Sequence, residues 1–253
     1  LKAGYVNFVL DSTYGAKKTK FARYLTNYYE SNADQLNQEL KETELPRELH
    51  FIAFAGTQAR IGTTTQALQY AGYLTDCGEK VCYVEENEDG FPYCLFELYQ
   101  YAVKEGDCIT YAGIPMYEKK SMQELLKMDY EYFILDMGSI DQEKFAGQLF
   151  FDERVQRVIV AGVKPQEWVC TKYVRSTALC KDAAYIISFA SDADVEAVSG
   201  AFSKMPLFAG YIPDMFARDQ GDLALGYNKL FSEKKTYRKE KTKKNKNRGR
   251  RSL

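Results

Sequence analysis

The residues of this chain best suited to chemistry lie in one short run, Ala55-Gly56-Thr57-Gln58-Ala59-Arg60-Ile61-Gly62-Thr63-Thr64-Thr65. An apolar stretch, Phe51-Ile52-Ala53-Phe54-Ala55, leads into it, and Ala67, Leu68, Ala71 and Leu74 recur at helical spacing behind it. The pattern predicts a strand, a turn and a helix from Thr64 to Asp76, with Gly78 as the stop. A loop at such a junction aims successive backbone N–H groups, and the positive end of the helix dipole, at an anion. Gly62 lets the backbone approach closely, and a threonine at the helix start can cap the helix or reach a magnesium ion. The chemistry implied is phosphate binding beside a hard divalent cation. The same letters also describe a helix start with three capping threonines and nothing bound.

Short apolar runs recur along residues 49–231 and alternate with longer amphipathic ones. The runs are Phe51–Ala55, Val81–Val84, Ile109–Ala112, Tyr132–Leu135, Val158–Ala161, Tyr185–Ile187 and Leu207–Ile212. Continuous apolarity over so few residues predicts strands buried on both faces. The fold class is therefore α/β, a mostly parallel sheet flanked by helices. Residues 1–48 form a separate N-terminal segment, with a strand at Tyr5–Leu10, a helix presenting Phe21, Tyr24, Leu25 and Tyr28, and a charged linker holding Pro46. Because the chain opens on Leu1, this segment is expected to be the end of a truncated upstream domain. Residues 232–253 lack apolar periodicity and read as a disordered basic tail.

Against the phosphate-loop pattern GxxxxGK[ST], Gly62 fits the second glycine and Thr64 the hydroxyl, whereas Thr57 stands at the first glycine and Thr63 at the lysine. With its flanking Gln66-Ala67-Leu68, the loop resembles the deviant Walker A motif of ParA/MinD-type P-loop ATPases, GKGGVGKTT. Ile61, Gly62, Thr64 and Thr65 agree with that motif. Gln58 replaces the signature lysine and Thr63 the P-loop lysine, so both lysines are missing. Further stretches resemble the family in the right order. Val81-Cys82-Tyr83-Val84-Glu85-Glu86-Asn87 is similar to the second strand with its acidic end. Tyr132-Phe133-Ile134-Leu135-Asp136 is similar to the Walker B strand, and Phe208-Ala209-Gly210-Tyr211-Ile212-Pro213-Asp214 to the LGxIPxD exit beside the adenine pocket.

The resemblance implies a P-loop NTPase fold over 49–231, ATP and Mg²⁺ as cofactors, and a homodimer formed on nucleotide binding. It places phosphates on Gln58, Ala59, Arg60, Ile61, Gly62, Thr63, Thr64 and Thr65, the base beside Pro213, and magnesium on Thr64 and Asp136. Glu85 would position water, and Arg60 would supply the charge that the lysines no longer bring. The function expected is an ATP-responsive switch in positioning, partitioning or assembly of a cellular machine, with slow or no hydrolysis. The alternative is a pseudo-ATPase scaffold that binds a protein partner and no nucleotide. Read as residues alone, Asp136 also serves as a turn cap, Glu85 as a solvated loop carboxylate and Pro213 as a strand terminator.

Charge narrows the partners. The formal net charge is -1, from 34 basic and 35 acidic residues, yet Glu233–Leu253 holds eleven basic residues against Glu233 and Glu240. A tail of +9 follows a body of -10. Such a tail suits nucleic acid or an anionic surface, or else serves as a solubilising arm folded onto the acidic body. With Tyr237 and Leu253 as its large apolar residues, it is not an inserting amphipathic helix. No apolar run reaches the ~18–20 residues of a membrane span, and no secretory signal pattern opens the chain. Six scattered cysteines and the lone His50 argue against zinc and for reduced, mostly buried thiols in a cytoplasmic protein.

Overall fold

The apolar runs form the middle of one sheet, where side chains of both parities are withdrawn from water. The computed structural model describes residues 48–229 apart from 199, 203, 219, 220 and 222. The expectations for residues 1–47 and for the basic tail lie outside the described residues. The chain opens with β1 (His50–Gly56), α1 (Thr63–Asp76), β2 (Val81–Glu85) and α2 (Phe91–Leu98). A meander of β3 (Val103–Glu105), β4 (Cys108–Tyr111) and β5 (Ile114–Tyr117) follows, then α3 (Met122–Leu125) and β6 (Tyr132–Ser139). The remainder comprises α4 (Gly147–Phe150), β7 (Val155–Ala161), α5 (Pro165–Ser176), a 3-10 turn at Ala178–Cys180, β8 (Ala184–Ser188), α6 (Asp192–Val198) and β9 (Leu207–Ala209).

The nine strands among the described residues run in the order β3-β4-β5-β2-β6-β1-β7-β8-β9. Every neighbouring pair is parallel except β3/β4 and β4/β5. The mostly parallel α/β sheet flanked by helices is as the sequence predicts. Along β1, Ile52 and Phe54 face a core built with Ala67, Leu68, Tyr70, Ala71 and Leu74 of α1. Phe51, Ala53 and Ala55 face the opposite core, closed by Leu125, Phe150, Val174 and Val198 from α3, α4, α5 and α6. The strand alternation thus feeds two helical layers.

Two details differ from the sequence reading. The run at 109–112 was expected in the parallel set, but it belongs to β4 and is antiparallel to both neighbours. Ala112 and Gly113, with φ of 49° and 76°, form the left-handed pair that closes a tight hairpin and turns the chain straight back. The run at 207–212 holds its strand conformation only to Ala209. Among the described residues its sheet partner is β8, which stops at Ser188, where Phe189 turns left-handed at φ 57°, so the ladder does not continue past Ala209.

β1 sits between β6 and β7, while the chain leaving β1 passes over β6 to reach β2. Successive connections therefore depart to opposite sides at β1, and the crevice past the carboxyl ends of these strands is where ligands settle in open α/β sheets. Register brings the right residues there. Phe54 and Glu85 both align with Asp136 across the β1/β6 and β2/β6 pairs.

Candidate functional site

The loop between β1 and α1 is held at its root by the Thr57 N–H, which donates to the Val160 carbonyl at 2.9 Å. Arg60 and Gly62 both take left-handed backbone, with φ of 62° and 90°. At Gly62 glycine is required twice over. Its φ is disfavoured for other residues, and an added Cβ would lie 2.9 Å from both Phe189 Cζ and Ser188 Oγ. Past Gly62, α1 begins with no side-chain cap and no acidic residue in its first turn. By contrast, α3 carries a full Ser121/Glu124 capping box. No cap side chain therefore meets the first N–H groups of α1, the arrangement in which a helix start can take an anion.

Thr64 and Asp136, 72 positions apart, meet in this crevice. The Thr64 hydroxyl donates to Asp136 Oδ2 at 2.6 Å. The Tyr83 phenol donates to the same oxygen at 2.7 Å, and the Gly138 N–H donates to Oδ1 at 3.0 Å. Asp136 is 0 % exposed, and burial pushes its carboxyl above the usual range while its donors pull the other way. A hydroxyl and a carboxylate side by side are hard oxygen donors of the kind magnesium takes together with substrate phosphates. Among the described residues no group of three or more His, Cys, Asp or Glu could hold a metal. Magnesium does not need one, since it keeps several waters and binds through one or two protein oxygens.

The other loop residues divide between exposed or half-buried positions and buried side chains. Ala59 and Arg60 are exposed, Gln58 and Thr65 half-buried. Ile61 packs into the α1 core, and the Thr63 hydroxyl lies back against Gly56, where a Cβ would collide with it. At the lysine position the side chain therefore turns inward instead of reaching across the crevice. Pro213 is exposed beyond β9. Its neighbour Tyr211 packs on Phe189 with ring centroids 5.8 Å apart, and Phe189 leans on Gly62, so the β9 exit communicates with the loop by contact.

Glu85 has another partner set. Its two oxygens accept the N–H groups of Gly90 at 3.1 Å and Phe91 at 2.8 Å, tying β2 to the start of α2. Burial still pushes its carboxyl up to about 7. Two participants were absent from the sequence reading. Tyr83 was read only as an apolar strand residue, although a buried phenol generally finds a polar partner. Glu86 is 3 % exposed, its N–H donates to the Asp136 carbonyl at 2.8 Å, and its Oε1 has no hydrogen-bond partner. The signal was the Glu85-Glu86 doublet at a strand end, since alternation sends one carboxylate to each face of the sheet.

No protein-family model matches the chain, and no curated protein matches it by sequence. Solved structures do resemble it. A plasmid partition protein from Borrelia burgdorferi is 13% identical, with 73% of this chain and 96% of that chain covered and a TM-score of 0.45. FlhF complexed with GTP/Mg²⁺ is 14% identical, with 85% and 92% covered and a TM-score of 0.47. The MinD cell division protein of Aquifex aeolicus is 11% identical, with 65% and 83% covered and a TM-score of 0.43. The likeness is one of architecture, a mostly parallel α/β sheet flanked by helices.

The six cysteines are thiols outside any disulfide, and of them Cys82 and Cys180 are buried. The expectation of mostly buried thiols is corrected here. Cys77 is the exposed C-cap of α1, and Cys94 lies on the outward side of α2. No helix among the described residues is long and apolar enough to cross a membrane.

Proposed function

We propose that the chain is a ParA/MinD-like nucleotide-binding protein, an ATP-responsive switch with slow or no hydrolysis that positions, partitions or assembles a cellular machine. The observation that carries this reading is the Thr64–Asp136 hydrogen bond at the uncapped start of α1. Backbone N–H groups from Gln58 to Thr65 would hold the phosphates, and Thr64 and Asp136 would hold Mg²⁺. The ion supplies the charge stabilisation on which phosphoryl transfer depends.

Hydrolysis is weak in this reading because Gln58 and Thr63 stand where the motif has its two lysines. One donor of that type is worth ~3–4 kcal/mol in the transition state, or ~10²–10³ in rate. Arg60 is the loop's remaining cation, with a planar fork that is not a geometric equivalent of an ammonium. Glu85 would have to release Gly90 or Phe91 to orient water, so its first role is to anchor α2. Pro213 flanks the base, and nucleotide binding drives pairing of two chains across the loops. The inward Thr63 and the Phe189 ring against Gly62 favour the second reading, a nucleotide-free scaffold for a protein partner.

Thermal unfolding with ATP and Mg²⁺ separates the two. A native-state ligand at 100 times its Kd adds about 2.7 kcal/mol, and ~1 kcal/mol moves the Tm of a domain this size by roughly 2–4 °C. A rise of that order that requires Mg²⁺ supports the switch. An unmoved Tm at millimolar ATP favours the scaffold.

The +9 tail adds a polyanion-binding arm to this proposal. Binding to duplex DNA is expected to weaken steeply with salt, at a slope near -0.9 per phosphate neutralised. Deleting residues 233–253 should abolish it, whereas equal affinity after deletion would assign any DNA binding to the body.

A further inference from the structure

We propose that the β3 edge of the sheet, together with the outer face of α2, is a self-association surface on which a second copy of this chain pairs about a twofold axis. Nine large hydrophobic residues are exposed among the described residues, and six of them lie between positions 93 and 103: Tyr93, Phe96, Leu98, Tyr99, Tyr101 and Val103. Leu98 and Tyr101 are the extreme cases, 79% and 80% exposed. Scattered exposed apolar residues need no explanation, but a concentration of this kind marks a contact surface. Lys104 joins the two halves of the patch, with its ammonium 5.5 Å from the Tyr93 ring centroid and 5.9 Å from that of Phe96.

Among the described residues β3 ends the strand order, and all three of its residues are exposed. With Lys104 and Glu105 in three residues, β3 is a short, charged edge that resists indiscriminate pairing, so the apolar side chains from Tyr93 to Val103 carry the contact. Side chains of this size carry roughly 150–250 Å² each, so the six expose on the order of 700 Å². That approaches the ~800 Å² per partner of a standard stable interface, and a second copy supplies an equal patch by symmetry.

Charge selects the register. Antiparallel pairing centred on Lys104 sets two ammonium groups directly opposite, which is destabilising. Pairing centred on Val103 sets Val103 opposite Val103 of the second copy and Tyr101 opposite Glu105 of the second copy, an apolar contact flanked by phenol and carboxylate. β3 lies five strands from β1, roughly 24 Å at ordinary strand spacing. The β3 edge is therefore remote from the phosphate loop, and the proposal does not rest on the nucleotide chemistry, while the start of α2 is tied to Glu85.

Sedimentation equilibrium of the full chain, with and without ATP and Mg²⁺, tests the proposal. A concentration-dependent dimer is expected without nucleotide. The double variant Leu98→Asp, Tyr101→Asp should weaken it at least tenfold while far-UV circular dichroism stays unchanged, since both positions are exposed, and its Tm should match that of wild type diluted to monomer. In a Cys77→Ser, Cys94→Ser background, Val103→Cys should give a disulfide-linked dimer on mild oxidation, a readout that does not depend on the aspartate variants folding. A wild type that is monomeric at every concentration, including one that takes a different protein on this patch, overturns the proposal. So does a dimer that forms only with nucleotide, or one that the variants leave intact.

Discussion

Asp136→Asn is expected to abolish the magnesium-dependent rise in Tm with ATP while leaving the nucleotide-free protein as stable as wild type, or more stable by on the order of 1 kcal/mol. The two effects have opposite signs for one physical reason. Asp136 is fully buried, and its charge is disfavoured there by desolvation. Asparagine keeps the shape and removes the charge. Its amide can still meet Thr64 and Tyr83, because both hydroxyls are able to rotate and accept. What it cannot provide is an anionic oxygen for a hard cation. A ligand-induced gain of about 2.7 kcal/mol at 100 times Kd should fall to nothing with Mg²⁺ present.

Thr64→Ala makes the useful contrast. It also removes a proposed magnesium donor, but it takes a hydrogen bond from a buried carboxylate and puts nothing in its place. A loss of about 1–3 kcal/mol in the nucleotide-free protein is expected. Urea denaturation of both variants, with and without Mg²⁺ and ATP, checks the pair. If Asp136→Asn keeps a full magnesium-dependent response, the ion is held elsewhere and the Thr64–Asp136 contact is purely structural.

The meeting of Thr64 and Asp136 was legible because both lie at strand or helix ends whose direction a parallel sheet dictates. A strand that enters a helix at Thr63 and another that ends near Asp136 must present those ends on the same side of the sheet. The β3–β5 meander was not legible as such. Ile114–Tyr117 was not among the predicted strands, yet β5 pairs with both β2 and β4. The turn chemistry at Gly106-Asp107 and Ala112-Gly113 was the local signal for that hairpin pair. The Tyr83 phenol escaped because an apolar strand pattern reports which face a residue occupies and not which polar atom its tip will meet. The inward turn of Thr63 depends on the space above Gly56, a tertiary property that no spacing rule contains.

Glu86 should make the protein less stable as pH rises from about 5 to about 8. Burial pushes its carboxyl from 4.5 up to about 8. Lys119 and the Lys120 N–H pull it down and Glu88 raises it, without overcoming desolvation. Between those values the folded chain retains a proton that the unfolded chain has released. The unfolded state then binds fewer protons, so unfolding free energy falls with rising pH, at up to ~1.4 kcal/mol per pH unit. The penalty is absent below about 4.5 and complete above about 8, a few kcal/mol in all. Glu85, raised to about 7, contributes in the same direction and keeps two backbone donors. Glu86→Gln removes the ionisable group while its amide oxygen can still accept the Lys120 N–H. The variant should therefore gain on wild type steadily from pH 5 to pH 8, with the difference smallest at the acid end. Chemical denaturation at half-unit intervals reads this directly. Parallel stability curves for the two proteins would show that Glu86 is already ionised in the fold, held by Lys119 and Lys120 more strongly than burial opposes it.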